Sequence, residues 1–467
     1  MSRTITINPV TRIEGHAKVH IDLDDAGKAT AAYLHVLEFR GFECFVQGMQ
    51  VELMPTITSR ICGTCPHAHH LVAAKCLDKV FSAPPPRPAV LLRELLNAGS
   101  MIHSHAIHFF ALAGPDLFLG LSEPRARRNL VTLLDAAPDL ARKALRLRSV
   151  GQRIAEIVGG RGTHPVTAIA GGMAGGLSAD ARQALKGLAA EGLEIAKVAV
   201  EEGKRALSRS EAIFKMLPPL PVHDMGTVKN GVLDLYDGSL RVRTPDGGLE
   251  REFEADAYAS HMVEQALPFS YGKQVLLKAN PKALVYRVGP LARINCADSI
   301  ETPLANAELE AFRKTWGRPC HQVVLGHYAR LIELLYCAEK AVMIANDDSI
   351  GSTDLRTKPS GTPRSAVAHI EAPRGVLIHD YHVDANGIIQ SANFLVATQH
   401  NVASINTSIK AAADSFVGQS DDALLDGVEF AIRCYDPCLS CSTHKIGQMP
   451  LDLTLARDGQ VIRSVKR

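Results

Sequence analysis

The chain has 467 residues, enough for one large domain or for two ordinary ones. Hydrophobic residues make up 46% and charged residues 21%, which is ordinary for a globular protein, and the net charge of +2 gives no broad field for nucleic acid or anionic membrane. The N-terminus resembles a strand and lacks the apolar segment of a secretory signal. The uncharged run 95–115 contains three histidines, so we expect a buried helix there rather than a membrane span.

The N-terminal half is predicted to begin with strands and to continue with long helices. Alternating apolar and polar residues indicate strands within residues 3–40, with a turn at residues 24–27. The pattern becomes helical from Pro66. Apolar residues at helical spacing predict helices over residues 91–113, 124–158 and 179–216. The glycine-rich stretch 158–177 is predicted to be a loop.

The C-terminal half mixes short β-segments with further helices. Turn signals between strand-like runs indicate a β-insertion at residues 230–256. Helices are expected over residues 305–345 and 401–416, and a hairpin over residues 376–396. No repeat or low-complexity linker marks a domain boundary. We therefore expect one catalytic domain, residues 1–444, that is mainly α with peripheral β (α+β) and has a long central helix bundle.

The cysteines carry the first chemical signal. Four of the ten form two C-x-x-C pairs, Cys62 with Cys65 and Cys438 with Cys441. The other six are scattered and are expected to be small core residues: Cys44, Cys76, Cys296, Cys320, Cys337 and Cys434. In the absence of a secretory context, paired cysteines favour metal or redox chemistry over a disulfide framework.

The spacing of the pairs lets both thiolates of each pair face one metal ion. Four thiolates form a soft site that suits zinc, iron–sulfur or thiolate-bound nickel, and spacing alone leaves a structural zinc site open. Two features argue against zinc. The pairs lie near opposite ends of the chain, whereas zinc motifs are usually local, and His69, Asp436 and His444 flank the cysteines as groups that could tune a reactive centre.

Both segments resemble the two signature motifs of nickel–iron hydrogenase large subunits. Residues 60–69 fit R-x-C-G-x-C-x-x-x-H and residues 436–444 fit D-P-C-x-x-C-x-x-H at every fixed position. Further family-like segments occur in the same order along the chain: RIEGH at 12–16, EFRGFE at 38–43, SHA at 104–106, PD at 115–116, GG at 159–160 with HP at 164–165, and APRG at 372–375. The combination is highly specific.

The resemblance implies a bimetallic centre that splits or makes dihydrogen. Cys62 and Cys438 would be terminal nickel ligands. Cys65 and Cys441 would bridge nickel to an iron that carries carbon monoxide and cyanide. Cys438 could also accept the proton left by heterolytic cleavage, and Glu14 would be the next proton acceptor.

The resemblance also assigns groups around the metals. Arg374 would point its guanidinium over the centre, with Asp116 and Asp436 orienting it. His69 would bond near a bridging thiolate, and Thr398 would donate to a cyanide. Without the resemblance, an arginine after a proline turn or a histidine on a helix would be read as an ordinary surface or core residue.

Three further features follow from the same likeness. Glu43 and His444 would help to hold a second cation, magnesium or iron. Residues 445–467 resemble the C-terminal extension that a maturation endopeptidase removes once insertion proteins have supplied nickel; a permanent β-tail is the alternative. No iron–sulfur ligand pattern remains in the chain, so electrons would leave through an iron–sulfur small subunit.

The wording of the motifs resembles the cytoplasmic, cofactor-coupled hydrogenases. Members pass electrons to NAD(P), a deazaflavin or a heterodisulfide reductase through further subunits of the heterodisulfide reductase or flavin diaphorase type. No partner nucleic acid or membrane span is expected. A dihydrogen sensor would share the site but generally lacks the extension. Quinone-reductase relatives lack the four cysteines and are excluded. A non-catalytic zinc scaffold is the alternative of a different class, and metal analysis would reveal it.

Overall fold

The computed structural model describes residues 3–209, 211–416, 419–443, 452–457 and 460–466. The helices are α1 (Phe42–Phe45), α2 (Met54–Thr58), α3 (Pro66–Val80), α4 (Arg87–Ala106), α5 (Gly114–Phe118), α6 (Leu130–Ala136), α7 (Pro138–Gly159), α8 (Ala179–Ser208), α9 (Glu211–Met216), α10 (Tyr258–His261), α11 (Pro290–Cys296), α12 (Pro303–Trp316), α13 (Gly326–Ala345), α14 (Ala397–Ser415), α15 (Asp421–Arg433) and α16 (Leu439–Ser442).

The strands lie mostly outside the helical centre. They are β1 (Arg3–Ile7), β2 (Ala17–Leu23), β3 (Ala29–Val36), β4 (Ala168–Ile169), β5 (Gly172–Met173), β6 (His223–Lys229), β7 (Val232–Leu233), β8 (Ser239–Arg243), β9 (Leu249–Phe253), β10 (Met262–Ala266), β11 (Lys273–Leu277), β12 (Tyr286–Arg287), β13 (Ala366–Ala372), β14 (Gly375–Val383), β15 (Ile389–Leu395), β16 (Asp452–Arg457) and β17 (Gln460–Lys466). The predicted fold class, mainly α with peripheral β, is confirmed.

The centre of the molecule is a bundle in which α4 packs against α7 and α13, and α8 packs against α7 and α13. Two glycines allow the closest approach. A Cβ at Gly151 would lie 2.5 Å from the backbone nitrogen of His103, and a Cβ at Gly99 would lie 2.9 Å from the carbonyl oxygen of Gly151. The backbones of α4 and α7 therefore touch in a way that no side chain would permit.

The long predicted helices exist, with interruptions that the apolar pattern did not reveal. The helix predicted over 91–113 is α4 followed by a π-helical segment, Ile107–Ala113, an uncommon form that often occurs at functional sites. The helix predicted over 124–158 is divided into α6 and α7, because Pro138 begins a new helix. The helix predicted over 305–345 is likewise two helices, α12 and α13.

The β-regions are more extensive than predicted. Strands β1, β2 and β3 form the expected antiparallel sheet. The β-insertion at 230–256 belongs to a five-stranded sheet of order β12-β6-β8-β9, with β7 beside β6. The hairpin expected at 376–396 is β14 with β15, and β13 adds a third strand. Strands β16 and β17 pair with each other within the C-terminal segment.

The two ends of the chain meet at the candidate site. Glu14 forms a parallel bridge with Cys438, and the Leu439 N–H donates to the Glu14 carbonyl at 3.2 Å. Gly15 follows with a φ of +82°, and a Cβ there would lie 2.8 Å from the Leu439 Cβ. Glycine is thus required both for the turn and for the close contact.

The scattered cysteines behave as predicted with one exception. Five of them are buried, whereas Cys44 is exposed on α1. In the described part of the chain, no helix has both the length and the apolarity needed to cross a membrane.

Candidate metal centre

Four cysteine sulfurs converge at the meeting point of the chain ends. The Sγ atoms of Cys62, Cys65, Cys438 and Cys441 all lie within 4.8 Å of one another, and all four residues are buried. The two closest contacts between the pairs are 3.3 Å from Cys62 to Cys438 and 3.4 Å from Cys65 to Cys441. Since a thiolate binds a metal at about 2.3 Å, all four sulfurs can reach a common metal position.

The local backbone structure directs these sulfurs towards one common position. Cys62 is extended after a 3-10 turn, and Cys65 is the residue before α3, whose first residue is Pro66. Cys438 precedes α16 and Cys441 lies within it. Each pair therefore spans the start of a helix, where two-residue spacing turns both side chains to one side.

The four thiols influence one another's protonation. Hydrogen bonds from Cys438 and the other cysteines lower the pKa of Cys62 well below its ordinary value. Burial raises the pKa of Cys438 and of Cys441 well above the ordinary range. Several thiolates close together therefore need a positive charge to form, and a bound metal cation would supply it.

Arg374 provides a permanent positive charge beside the cluster. It follows β13 in the short turn to β14, its Nε donates to the Asp436 carbonyl at 2.9 Å, and its Nη2 lies 3.2 Å from the Asp436 carboxylate. Burial lowers its pKa, but the charges of Asp436 and the cysteines outweigh burial and leave it well above the ordinary value. Its buried Nη1 has no hydrogen-bond partner among the described residues and remains a free donor.

A small cavity lies against three of the sulfurs. Its lining includes Cys65, Cys438 and Cys441, together with Arg374, Thr398 and apolar side chains from β14 and α14. The Thr398 hydroxyl oxygen accepts from the Cys438 N–H at 2.9 Å, which leaves the hydroxyl proton available. His69 also lines the cavity, which thus combines an apolar wall with three polar side chains.

Asp116 differs from its expected role as a group that orients Arg374. Its carboxylate instead forms ion pairs with Arg12, Arg128 at 3.2 Å and Arg433 at 2.8 Å. The π-helical segment before it also presents the Leu112 carbonyl, which accepts from Arg12 at 2.7 Å. This network fixes the segment that carries Glu14, whereas Asp436 alone of the two predicted aspartates contacts Arg374.

His69 lies beside a sulfur of the second pair. Its Nε2 is 3.6 Å from the Cys441 Sγ, and its Nδ1 is 3.2 Å from the Nε2 of His379. Burial lowers the pKa of His69 to about 4, so the imidazole is neutral at physiological pH.

Glu14 begins a hydrogen-bonded chain towards the surface. The Ser440 hydroxyl lies 2.6 Å from one Glu14 carboxyl oxygen and 2.7 Å from a Glu38 carboxyl oxygen. The other Glu38 oxygen is 2.6 Å from Nδ1 of His16, whose side chain is 75% exposed. A hydroxyl can donate to one carboxyl group while it accepts from the other, so this chain can conduct protons.

Glu43 has the character of a cation ligand. It is buried, and within the described ranges neither carboxyl oxygen has an aligned hydrogen-bond donor, although the Arg40 Nη1 lies 2.9 Å away as an ion pair. Its expected partner His444 lies outside the described residues. The Arg40 Nε also donates to the Cys441 carbonyl at 3.2 Å, which links this position to the sulfur cluster.

Comparison with known proteins decides the family. A profile described as nickel-dependent hydrogenase matches residues 40–120 and 255–444, and a HoxL-like profile matches residues 4–39. One subunit of the F420-non-reducing hydrogenase vhc from Methanococcus voltae is 40% identical over 471 residues, which cover 99% of each chain. The chain belongs to the nickel-dependent hydrogenase family.

Other relatives of this hydrogenase chain agree. The NAD-reducing hydrogenase HoxS subunit beta of Cupriavidus necator is 36% identical and covers 97% of this chain and 96% of its own. The solved structure of an NAD+-reducing NiFe hydrogenase in the H2-reduced state superposes with a TM-score of 0.91 at 38% identity, over 95% of this chain and 99% of that one. The Ni-Fe-Se hydrogenase from D. vulgaris Hildenborough, at 23% identity and a TM-score of 0.78, shares the fold.

The residues of the hydrogenase fit the nickel and iron that its family implies. Four buried sulfurs supply the soft ligands that nickel and iron accept. A structural zinc site is complete with its four cysteine ligands. Here the adjoining cavity provides room for additional metal ligands, and the free Arg374 Nη1 provides a hydrogen-bond donor for them.

Sequence reasoning missed several residues of the site. It named the segment 38–43 as family-like without assigning Glu38, and it overlooked Ser440 between two cysteines. His379 and Tyr381 were also missed, although their two-residue spacing on a strand places both side chains on one face. No pattern in the sequence indicated the Arg12, Arg128 and Arg433 cluster, because its members are far apart in the chain.

Proposed function

We propose that this chain is the large subunit of a hydrogenase that reversibly cleaves dihydrogen to protons and electrons. The observation that carries the proposal is the convergence of four buried sulfurs from the two ends of the chain, next to a cavity and an unpaired guanidinium nitrogen. When bound, a nickel–iron pair would supply the Lewis acidity and electron transfer for heterolytic cleavage.

Cys62 and Cys438 would be terminal nickel ligands, and Cys65 and Cys441 would bridge to iron. The cavity adjoins both proposed bridging sulfurs and also the Cys438 sulfur. We propose that Arg374 and Thr398 would donate to cyanide nitrogens and that the apolar wall of the cavity would accommodate carbon monoxide. Charge-assisted donation from a buried guanidinium is strong, and it leaves the Asp436 contact intact.

The chain's own residues then take up the proton. The Cys438 thiolate is proposed as the first acceptor. Glu14, which bridges to Cys438 through the backbone, passes the proton to Ser440 and on to Glu38 and His16 at the surface. Burial of the sulfur cluster excludes bulk water, so protons must travel through these side chains.

We also propose a second cation site and a processed C-terminus. Glu43 and His444 would hold magnesium or iron. The buried Glu43 carboxylate supports this, because apart from its ion pair with Arg40 neither oxygen has an aligned donor among the described residues. Residues 445–467 would be removed by a maturation endopeptidase after nickel insertion, which leaves residues 1–444 as the mature domain. Intact-mass measurement of the purified enzyme tests this, because the mature chain would end at His444.

Electrons would leave through an iron–sulfur small subunit in the cytoplasm and pass to heterodisulfide-reductase or flavin diaphorase subunits. The relatives support a multi-subunit assembly, since both are named as hydrogenase subunits. Affinity purification of the tagged chain from its source cells tests it. Co-purification of an iron–sulfur protein is expected, and recovery of an active chain alone would contradict it.

The central test is metal content with dihydrogen-dependent dye reduction by the complex. Cys438→Ala should lose nickel and activity because it removes a ligand. The matched control is Cys337→Ala, which changes a buried cysteine of α13 outside the cluster and should keep both. Wild-type protein that contains zinc and does not oxidise dihydrogen would contradict the proposal.

A further inference from the structure

A second hydrogen-bonded chain begins at the sulfur cluster and leads inwards. The Cys441 sulfur is 3.6 Å from Nε2 of His69, and Nδ1 of His69 is 3.2 Å from Nε2 of His379. Nδ1 of His379 is in turn 2.8 Å from the Tyr381 hydroxyl. All three side chains beyond the sulfur are fully buried.

The fold explains this alignment. His69 lies on α3, four residues after Cys65, and α3 packs against β13 and β14. His379 and Tyr381 occupy alternate positions of β14, so both side chains project from the same face of the strand. Phe394 of β15 packs edge-on against the His379 ring, with the centroids 4.7 Å apart.

The direction of donation follows from the sulfur. A metal-bound Cys441 thiolate has no proton and can only accept, so Nε2 of His69 must carry hydrogen. A neutral imidazole has one donor and one acceptor; therefore Nδ1 of His69 accepts from Nε2 of His379. Nδ1 of His379 is then also an acceptor, and the Tyr381 hydroxyl must donate to it.

Burial maintains this arrangement. It lowers the pKa of His379 well below the ordinary value, so this ring is neutral. It raises the pKa of Tyr381 well above its ordinary value, so the hydroxyl keeps its proton. The hydroxyl lies next to Thr58, which is also fully buried, so among the described residues this end of the chain is closed to solvent.

We propose that Tyr381 and His379 are positioning residues that hold His69 in the tautomer that donates a hydrogen bond to the Cys441 sulfur. This inference rests on the proposed function. A hydrogen bond to a thiolate withdraws electron density from the sulfur and hence from the metals that it binds. Tyr381 thereby influences the electron density of the metal centre through His379 and His69. Because the chain ends at a buried hydroxyl, it does not carry protons to solvent.

The test is infrared spectroscopy of the intact complex that carries Tyr381→Phe. Loss of the hydroxyl leaves His379 free to change tautomer, so the sulfur loses a fixed donor. The carbon monoxide and cyanide bands should shift to lower wavenumber with full nickel content, and dihydrogen-dependent dye reduction should fall by about tenfold, the lower end for outer partners of a metal site. Unshifted bands in fully loaded Tyr381→Phe would overturn the inference.

Two further variants separate positioning from packing. Tyr258→Phe removes another buried tyrosine hydroxyl, which donates to Asp380 at 2.8 Å, and should leave the bands unchanged. His379→Gln places an amide N–H near the former Nε2 and should keep wild-type bands, whereas His379→Leu should shift them. If Tyr381→Phe does not load nickel, the comparison of His379→Gln with His379→Leu decides. Equal band shifts in these two variants would overturn the inference. Absence of the bands in wild-type protein would instead contradict the proposed function.

Discussion

The two hydrogen-bonded chains beside the sulfur cluster differ in where they end. The chain through Glu14, Ser440 and Glu38 reaches His16, which is 75% exposed. The chain through His69 and His379 ends at buried Tyr381. Only a chain that contacts water can exchange protons with bulk solvent, so the same kind of hydrogen bond serves transport on one side of the cluster and fixed polarisation on the other.

Glu14→Gln should have the largest effect on turnover, because it blocks the outward chain at its first member. The amide can still accept from the Ser440 N–H but cannot take up and release a proton. Dihydrogen-dependent dye reduction should fall by about 10²–10⁴-fold with metal content and infrared bands unchanged. The control Glu52→Gln changes an exposed glutamate and should have no effect. Wild-type activity in Glu14→Gln would remove the distinction between the two chains.

Asp116→Asn tests whether Asp116 stabilises the segment that carries Glu14 or orients the Arg374 guanidinium. It removes the carboxylate that Arg12, Arg128 and Arg433 share, and breaking such a buried ion pair costs about 3 kcal/mol or more. Chemical denaturation of the complex should show that loss of stability, with unshifted infrared bands in protein that has folded. Shifted bands with unchanged stability would instead mean that Asp116 orients Arg374.

Arg374→Lys tests the permanent charge beside the sulfur cluster. Lysine keeps the charge but cannot contact Asp436 and offer a separate nitrogen to the cavity. Activity should fall by about 10–100-fold, as for outer partners of other metal sites, and the cyanide bands should shift. Arg364→Lys, on the exposed surface, is the matched control. Unchanged bands in Arg374→Lys would indicate that Nη1 does not donate to the centre.

Glu38→Gln sharpens the comparison at the outer end. Glu38 is partly exposed, at 28%, so water can substitute for it as it cannot for an inner member. Glu38→Gln should therefore reduce turnover by much less than the about 10²–10⁴-fold expected on loss of a buried proton acceptor. His16→Ala should reduce turnover by less again. Steady-state assays of both variants provide the test. A loss in His16→Ala as large as that in Glu14→Gln would show that no other exit exists.

Much of the fold and of the candidate site could be predicted from the sequence, because the strongest sequence signals are local. The two C-x-x-C motifs identified the four sulfurs, and helical periodicity located α4, α8 and α13. Cysteine spacing is fixed by ligand geometry, and apolar periodicity is fixed by burial, so both can be read without the fold.

What the sequence did not reveal depends on distant contacts. Asp116 attracts arginines from three separate segments, and no local pattern encodes that choice. Ser440 becomes a proton carrier only because residues 14 and 38 fold against it. The π-helical segment Ile107–Ala113 interrupts an apolar pattern that reads as one continuous helix. The split at Pro138, by contrast, follows a local proline signal that the apolar pattern masked.

Infrared spectroscopy of the complex, with nickel and iron quantified, tests the central claim most directly. The account predicts sharp bands of metal-bound carbon monoxide and cyanide, with about one nickel per chain, since ordinary protein groups do not absorb in that region. Zinc in the four-cysteine site, without those bands, would contradict it.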